Sequence, residues 1–322
     1  MSLPHGFPEP RLVEAGNITF SVHEAGPENG LPLLMLHGWP ELAFSWAPMV
    51  DALTEAGCRL IMPDIKGFGG TSKPDEPSEY AMTKIAEDYR LLIGALGLEK
   101  VVIVGHDWGG AIAWPLAQRI SDLALGVAVF CTPYPAVAAA SPIAIWEKRF
   151  GPEHYIVQFQ DPDLPDKAFG GREKDFFSML LRKGPPREIW PKLLPELTHI
   201  PQQLDKAKPP FDDIVASDEA LEHYAKVYAE TGHRGPTWVY RLVDTHWEER
   251  KAFDPPITIP ALMVTATRDV LLPAEASLGM EGWVTNLSRA EVDSGHWMTW
   301  EAPDEANAAL LGWLRKTELL GS

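Results

Sequence analysis

Residues 101–114 read VVIVGHDWGGAIAW, a short apolar run that ends in a glycine-rich turn and is followed by a second apolar run. This order is typical of a buried strand that turns sharply into a helix. Gly105, Gly109 and Gly110 surround Asp107 with the small residues that such a tight, strained turn requires. The turn predicts that Asp107 lies over one edge of a sheet, beside a helix N-terminus. A carboxylate there is either a helix N-cap or a nucleophile, and this stretch alone leaves both open.

The rest of the chain repeats this alternation of buried strands and helices. The predicted strands are a hairpin at 11–25 and the apolar runs at 31–38, 59–64, 100–105, 123–132, 257–267 and 287–293. Helical spacing of apolar residues predicts helices at 45–57, 80–97, 109–120, 217–232, 237–250, 275–283 and 303–320. Strands that alternate with helices indicate an α/β fold, with a mostly parallel sheet and helices on both of its faces.

A long insertion interrupts this alternation. From about Pro133 to Pro255 the strand pattern stops and helical segments replace it. The insertion is too long and too regularly patterned for a plain loop. We therefore predict a core formed by residues 1–133 and 255–322, and a helical cap formed by residues 134–254. Because ligands of such sheets bind at the carboxyl ends of the strands, the cap is expected to form a lid over that edge.

The charge and the hydropathy of the chain limit its partners. The 322 residues carry a formal net charge of -17, which opposes binding to the phosphate backbone of a nucleic acid. No run approaches the roughly 20 apolar residues of a membrane-spanning helix, and the N-terminus lacks the apolar stretch of a signal peptide. We predict a cytoplasmic protein that binds neither nucleic acid nor membrane. The sequence leaves the oligomeric state open, with a homodimer among the options.

Two further polar residues directly follow predicted strands. Asp269 lies in TATRD, after the strand at 257–267, and His296 lies in DSGHW, after the last strand. The carboxyl ends of parallel strands meet at one edge of a sheet, so these side chains are expected near Asp107. Their order along the chain is nucleophile, acid, histidine, which is the order of hydrolases built on such a sheet.

The motif HGWP, which ends the strand at 31–38, supplies a backbone donor. Gly38 allows backbone to approach closely, so the N–H of Trp39 is expected to point into the site. Together with the N–H of Trp108 it would form an oxyanion hole. The side chain of Trp39 is also a candidate for the pocket wall. His37 and His106 are interpreted as structural loop histidines.

Seven motifs carry a resemblance to a known family: HGWPE, DIKGFGGTSKP, VGHDWGG, HYIVQFQ, VYR, MVTATRD and VDSGHW. From about Val13 to Leu314 the chain resembles the epoxide hydrolases of the α/β-hydrolase superfamily, and is similar to the hydrolase domain of soluble epoxide hydrolases. The resemblance implies the α/β-hydrolase fold and two cap tyrosines, Tyr155 and Tyr240, that donate to the epoxide oxygen. The second match departs from the family, because Trp238-Val239 stand where an Asn-Trp pair is common.

The resemblance also implies a mechanism. Asp107 would attack a lipophilic or aryl epoxide and form an alkyl ester, while the tyrosines protonate the leaving oxygen. His296, oriented by Asp269, would then activate water to hydrolyse the ester and release a vicinal diol. Neither a metal nor an organic cofactor is expected. The side chains expected to contact the substrate are Trp39, Trp108, Tyr155 and Tyr240.

Other functions compete with this interpretation. A haloalkane or haloacetate dehalogenase would use the same aspartate nucleophile and histidine. Haloacetate enzymes usually place arginine after the nucleophile, where this chain has Trp108. An ester or lactone hydrolase would need serine at position 107. A non-catalytic receptor of this fold would be expected to lack a member of the triad or a cap donor.

Overall fold

The computed structural model describes residues 3–134, 136–206 and 213–321. Within these ranges the chain forms one eight-stranded sheet with the order β1-β2-β4-β3-β5-β6-β7-β8. The strands are β1 (Arg11–Ala15), β2 (Ile18–Ala25), β3 (Leu31–Leu36), β4 (Cys58–Pro63), β5 (Val101–His106), β6 (Ala124–Phe130), β7 (Ala261–Ala266) and β8 (Leu287–Val292). The hairpin β1–β2 and the pair β2–β4 are antiparallel, and all other neighbouring strands run parallel. The predicted α/β fold is confirmed.

The helices fall into two groups along the chain. Those outside the insertion are α1 (Val50–Glu55), α2 (Met82–Ala95), α3 (Trp108–Arg119), α13 (Met298–Glu301) and α14 (Pro303–Lys316). Those between β6 and β7 are α4 (Pro142–Phe150), α5 (Tyr155–Gln158), α6 (Leu164–Phe169), α7 (Glu173–Leu180), α8 (Trp190–Thr198), α9 (Ile200–Gln203), α10 (Asp218–Thr231), α11 (Trp238–Arg241) and α12 (Val243–Ala252). The limits of the cap, 134 and 254, stay a prediction.

Several predicted elements differ in detail. The expected helix at 45–57 is a 3-10 segment, Ala43–Met49, followed by the short helix α1. The expected helix at 275–283 is instead two 3-10 turns, Ala274–Ser277 and Met280–Gly282, separated by Gly279 at a left-handed φ of 83°. The expected helix at 237–250 is divided at Leu242 into α11 and α12. The expected strand at 257–267 begins only at Ala261, because the preceding proline has no N–H to donate to a ladder.

The central strands bury both of their faces. Every residue of β5 and of β7 is buried, as expected for parallel strands covered by helices on both sides. The chain leaves the carboxyl ends of β3, β5, β7 and β8 just before Trp39, Asp107, Asp269 and His296, respectively. The fold therefore brings the candidate residues to one edge of the sheet.

The helices between β6 and β7 are attached to the core by polar contacts. The carboxylate of Glu249, in α12, accepts the N–H groups of Met82 and Thr83 at the start of α2. His246 contacts the carbonyl oxygen of Tyr80 at 2.8 Å. None of the helices in the described ranges is both long and apolar enough to cross a bilayer.

Candidate active site

Asp107 lies in a strained turn between β5 and α3. Its φ is 51° and its ψ is -120°, a conformation that residues other than glycine rarely adopt. A Cβ on Gly109 would lie 1.9 Å from the carbonyl oxygen of Leu36, so only glycine fits there. Asp107 occupies the N-cap position of α3, but its side chain makes no capping hydrogen bond. Instead, its Oδ1 accepts the N–H of Trp39 at 2.8 Å.

His296 lies between the two carboxylates predicted from the strand ends. Its Nδ1 is 2.7 Å from Oδ2 of Asp269, and its Nε2 is 3.4 Å from Oδ2 of Asp107. Asp269 is fully buried, and its Oδ1 accepts the N–H groups of Leu271 and Leu272, both at 2.9 Å. The structure therefore brings together the three residues that the sequence order indicated.

The two carboxylates control the charge of the imidazole. Burial alone would lower the pKa of His296, but the negative charges of Asp269 and Asp107 outweigh it and hold that pKa well above its ordinary value. Burial would likewise raise the pKa of Asp269, but the facing His296 and the two N–H donors lower it. The two carboxylates therefore favour the imidazolium form of His296.

Tyr155 and Tyr240 come from separate helices and meet beside the triad. Tyr155 is the first residue of α5 and Tyr240 lies in α11, with ring centroids 5.3 Å apart. Burial raises the pKa of both hydroxyl groups far above the ordinary value, and the charge of Asp107 adds to this effect. Both therefore remain neutral O–H donors at neutral pH.

The two tryptophans border the same space. The ring of Trp39 stacks on Tyr155 at 6.0 Å and meets Tyr240 edge-on at 5.2 Å. The ring of Trp108 is 4.9 Å from Tyr240. Trp108 is the first residue of α3, where a main-chain N–H has no acceptor within the helix. The N–H groups of both tryptophans are thus candidates for an oxyanion hole.

A cavity of about 490 Å³ opens at this point between the sheet edge and the cap helices. Asp107 and His296 lie on its core side, and Tyr155 and Tyr240 on its cap side. The remaining lining is mainly apolar and aromatic, and includes Trp146, Phe150, Ile156, Leu194, Val270 and Leu272. Such a cavity suits a small lipophilic molecule with one polar group.

Comparison with known proteins places this arrangement in a family. A family model described as alpha/beta hydrolase fold matches residues 32–168. Epoxide hydrolase A of Mycobacterium tuberculosis is 30% identical over an alignment 335 residues long, gaps included. The alignment covers 98% of this chain and 99% of that protein. The chain belongs to the epoxide hydrolase family of the α/β-hydrolase fold.

Other epoxide hydrolases agree with this assignment. The rat protein named bifunctional epoxide hydrolase 2 is 31% identical over 318 residues, or 96% of this chain. The chain spans 57% of the length of that relative. The crystal structure of epoxide hydrolase A from Mycobacterium thermoresistibile has a TM-score of 0.83 and 27% identity, and the match covers 96% of this chain and 98% of that one.

The structure also identifies contacts near the site that the sequence did not reveal. Nε2 of His106 lies 2.8 Å from the carbonyl oxygen of His296, and its Nδ1 lies 3.2 Å from the fully buried Glu41. Oγ1 of Thr132 donates to the carbonyl oxygen of Asp107 at 2.7 Å. His106 was interpreted from the sequence as a structural loop histidine, but no local pattern indicated that it pairs with Glu41.

One group of side chains has the composition of a metal site. Among the described residues, His106, Cys131 and His296 place one ligand atom each within 4.8 Å of one another. Both ring nitrogens of each histidine already face an oxygen partner, and Sγ of Cys131 lies 3.5 Å from the carbonyl oxygen of His296. The group therefore fits a role in fixing the position of His296.

Proposed function

We propose that the protein converts a lipophilic or aryl epoxide and water to a vicinal diol through a covalent ester on Asp107. The relative arrangement of three residues carries this proposal. Nε2 of His296 is 3.4 Å from Oδ2 of Asp107, and Nδ1 is 2.7 Å from Asp269. Asp107 can act without a base to deprotonate it, because a carboxylate is already ionised at neutral pH.

In the first step, Oδ2 of Asp107 attacks one carbon of the epoxide ring. A C–O bond forms to the carboxylate as the bond between that carbon and the ring oxygen breaks. The leaving alkoxide is a strong base, so it takes a proton from the O–H of Tyr155 or Tyr240. The neutral state of both tyrosines supports this role. The product is a hydroxyalkyl ester of Asp107 and one tyrosinate.

In the second step, water hydrolyses this ester. Ester formation removes the negative charge of Asp107, which is one of the charges that raise the pKa of His296. His296 gives up its proton, which reprotonates the tyrosinate. The neutral imidazole then takes a proton from water, and Asp269 stabilises the imidazolium that forms. The hydroxide adds to the ester carbonyl, and the oxyanion is stabilised by the N–H groups of Trp39 and Trp108. Collapse breaks the C–O bond to the alkoxide, which takes the proton of the added hydroxyl, so that the diol is released and the carboxylate of Asp107 is restored.

Residues 134–254 are proposed to act as the cap of this site. They carry both tyrosines and the aromatic wall of the cavity at Trp146 and Phe150. A cap of this kind brings proton donors to the side of the substrate opposite the nucleophile. It also excludes water, which strengthens hydrogen bonds inside the site.

Trapping of the ester tests the proposal. The variant His296→Gln keeps Asp107 and both tyrosines, so styrene oxide should alkylate it without subsequent hydrolysis. Intact-protein mass spectrometry should show a gain equal to the mass of the epoxide, located on Asp107 by peptide mapping. The variant Asp107→Asn is the matched control and should stay unmodified. An unmodified His296→Gln protein, while the wild type forms diol from the same epoxide, would contradict the covalent scheme.

A comparison of substrates separates the dehalogenase alternative. Turnover of a haloalkane would release halide through the same aspartate. The pair of hydrogen-bond donors over the cavity favours an epoxide, because a leaving alkoxide needs a proton and a leaving halide does not. Faster halide release than diol formation, on substrates of matched size, would favour the dehalogenase.

A further inference from the structure

The carboxylate of Glu301 connects three separate segments of the chain. Glu301 ends α13, five residues after His296, and its side chain is only 4% exposed. Its Oε2 accepts the N–H of Gly295 at 2.8 Å and the N–H of Gly184 at 3.0 Å. Its Oε1 accepts a hydrogen bond from Nη2 of Arg268 at 2.6 Å. One buried carboxylate therefore satisfies donors from three places.

Each of these partners adjoins an element that the proposed reaction uses. Gly295 directly precedes His296, and Arg268 directly precedes Asp269. Gly184 follows α7, in the segment that also carries the cap tyrosines. Glu301 is thus positioned to fix the histidine, the acid and the cap relative to one another.

The loops that carry the histidine and the acid are also bound directly to each other. The N–H of Arg268 donates to the carbonyl oxygen of Ser294 at 2.9 Å. Its Nη2 donates to the carbonyl oxygen of Asp293 at 3.0 Å, and Oγ1 of Thr267 donates to the Asp293 carboxylate at 2.8 Å. The guanidinium that binds Glu301 therefore also holds the two loops together.

The cap backbone lies directly on the histidine loop at this point. A Cβ on Gly184 would lie 2.4 Å from Cα of Gly295, and a Cβ on Gly295 would lie 2.4 Å from Cα of Gly184. Only a pair of glycines allows this approach. Nε1 of Trp297, the residue after His296, donates to the carbonyl oxygen of Leu180 at the end of α7. The Glu301 carboxylate lies at this glycine contact and binds both N–H groups.

We infer that Glu301 is a positioning residue for His296, and that it acts on ester hydrolysis rather than on ester formation. This inference rests on the proposed function, in which His296 is the base of the second step only. A glutamine at position 301 has the same shape, but its NH₂ group must face either the two main-chain N–H donors or the guanidinium. In either orientation the NH₂ group faces another hydrogen-bond donor, and that hydrogen bond is lost. The loop that carries His296 must then move.

Comparison of the variant Glu301→Gln with the wild-type enzyme, with styrene oxide as the substrate, tests this role. Hydrolysis of the Asp107 ester should slow by about tenfold to a hundredfold, because a displacement of about 1 Å can cost about a hundredfold in rate. Ester formation should change less than about threefold, since Asp107 and the tyrosines are untouched. The ester should then accumulate at steady state, visible by quenched intact-protein mass. Both kcat and KM should fall by similar factors, leaving kcat/KM nearly unchanged.

Glu249→Gln is the matched control. Glu249 also accepts two main-chain N–H groups and also joins the cap segment to the core, but at α2. Its substitution should leave the fraction of ester, kcat and KM each as in the wild type. A loss of stability shared by the two variants, without ester accumulation in Glu301→Gln, would mean that Glu301 is only structural and would overturn the inference.

A further variant covers failure of Glu301→Gln to fold. Arg268→Gln keeps the hydrogen bonds from Gly184 and Gly295 to Glu301. It removes the hydrogen bond from the guanidinium to Glu301, which links Glu301 to the loop of Asp269. Ester accumulation in this folded variant supports the inference, and hydrolysis at the wild-type rate overturns it. His296→Gln separates the two levels of the argument. If that variant never forms an ester, the proposed function fails; if it does while the Glu301 and Arg268 variants hydrolyse normally, only this inference fails.

Discussion

The main-chain N–H of Trp39 donates a 2.8 Å hydrogen bond to Oδ1 of Asp107. This bond makes the two carboxylate oxygens different. Oδ2 faces Nε2 of His296 at 3.4 Å, so in the proposed reaction it is the oxygen that attacks the epoxide. Oδ1 would remain the carbonyl oxygen of the ester, already at the donor that must stabilise the oxyanion.

This difference predicts the fate of an oxygen label. In a single turnover in H₂¹⁸O with enzyme in excess, the diol should be unlabelled, because its new oxygen comes from Oδ2 of Asp107. The peptide that contains Asp107 should gain one ¹⁸O, since water adds to the ester carbonyl. Mass spectrometry of the diol and of the digested protein measures both. Label in the diol after the first turnover would indicate direct attack by water and would contradict the scheme.

Removal of the tyrosine hydroxyl groups should slow the first step. Tyr155→Phe and Tyr240→Phe each remove one proton donor without changing the aromatic wall, and the loss in ester formation should approach about a hundredfold. The double variant should lose more than either single variant, because neither donor can then replace the other. Stopped-flow tryptophan fluorescence or rapid quench measures ester formation. Near wild-type ester formation in the double variant would exclude this role for the pair.

The raised pKa of His296 predicts a pH-dependent contribution to stability. Because the folded-state pKa lies above the unfolded value of about 6.5, this contribution is fully present below about pH 6.5 and is lost as pH rises through the folded value. Urea unfolding of the wild type and of His296→Gln measures it. The difference in unfolding free energy should be larger at pH 5.5 than at pH 9. A difference that is constant or grows with pH would show that the imidazolium is not stabilised in the folded protein.

The fold was largely predictable from the sequence because it depends on local patterns. Continuous apolar runs located the central strands, and glycine at 105 and 109 marked the turn at Asp107. The strand ends then indicated Asp269 and His296, because parallel strands place their carboxyl ends at one edge. The prediction failed where the conformation of one residue, rather than the apolar periodicity, determines the local structure. At Gly279 a left-handed conformation interrupts the expected helix.

The surroundings of the site were less predictable. Glu301 binds Gly184 and Arg268 across long separations in sequence, and no local pattern contains such contacts. Tyr155 and Tyr240 were identified only from a resemblance, because a tyrosine on a short helix is usually a packing residue. Their meeting at 5.3 Å depends on how the cap helices pack. Long-range packing, and not composition, determines this part of the site.

The strained backbone at Asp107 should have a measurable energetic cost. At a φ of 51°, glycine is unstrained and alanine is not, so Asp107→Gly should be more stable than Asp107→Ala by about 1–3 kcal/mol. Both variants lack the carboxylate, so this difference isolates the backbone. At Asp51, exposed in the first turn of α1, the order should reverse, with alanine favoured by about 0.5–1 kcal/mol. Urea unfolding of the four variants gives both differences. If alanine were also the more stable residue at position 107, the turn would not be strained in solution, and the glycines around it would need another explanation.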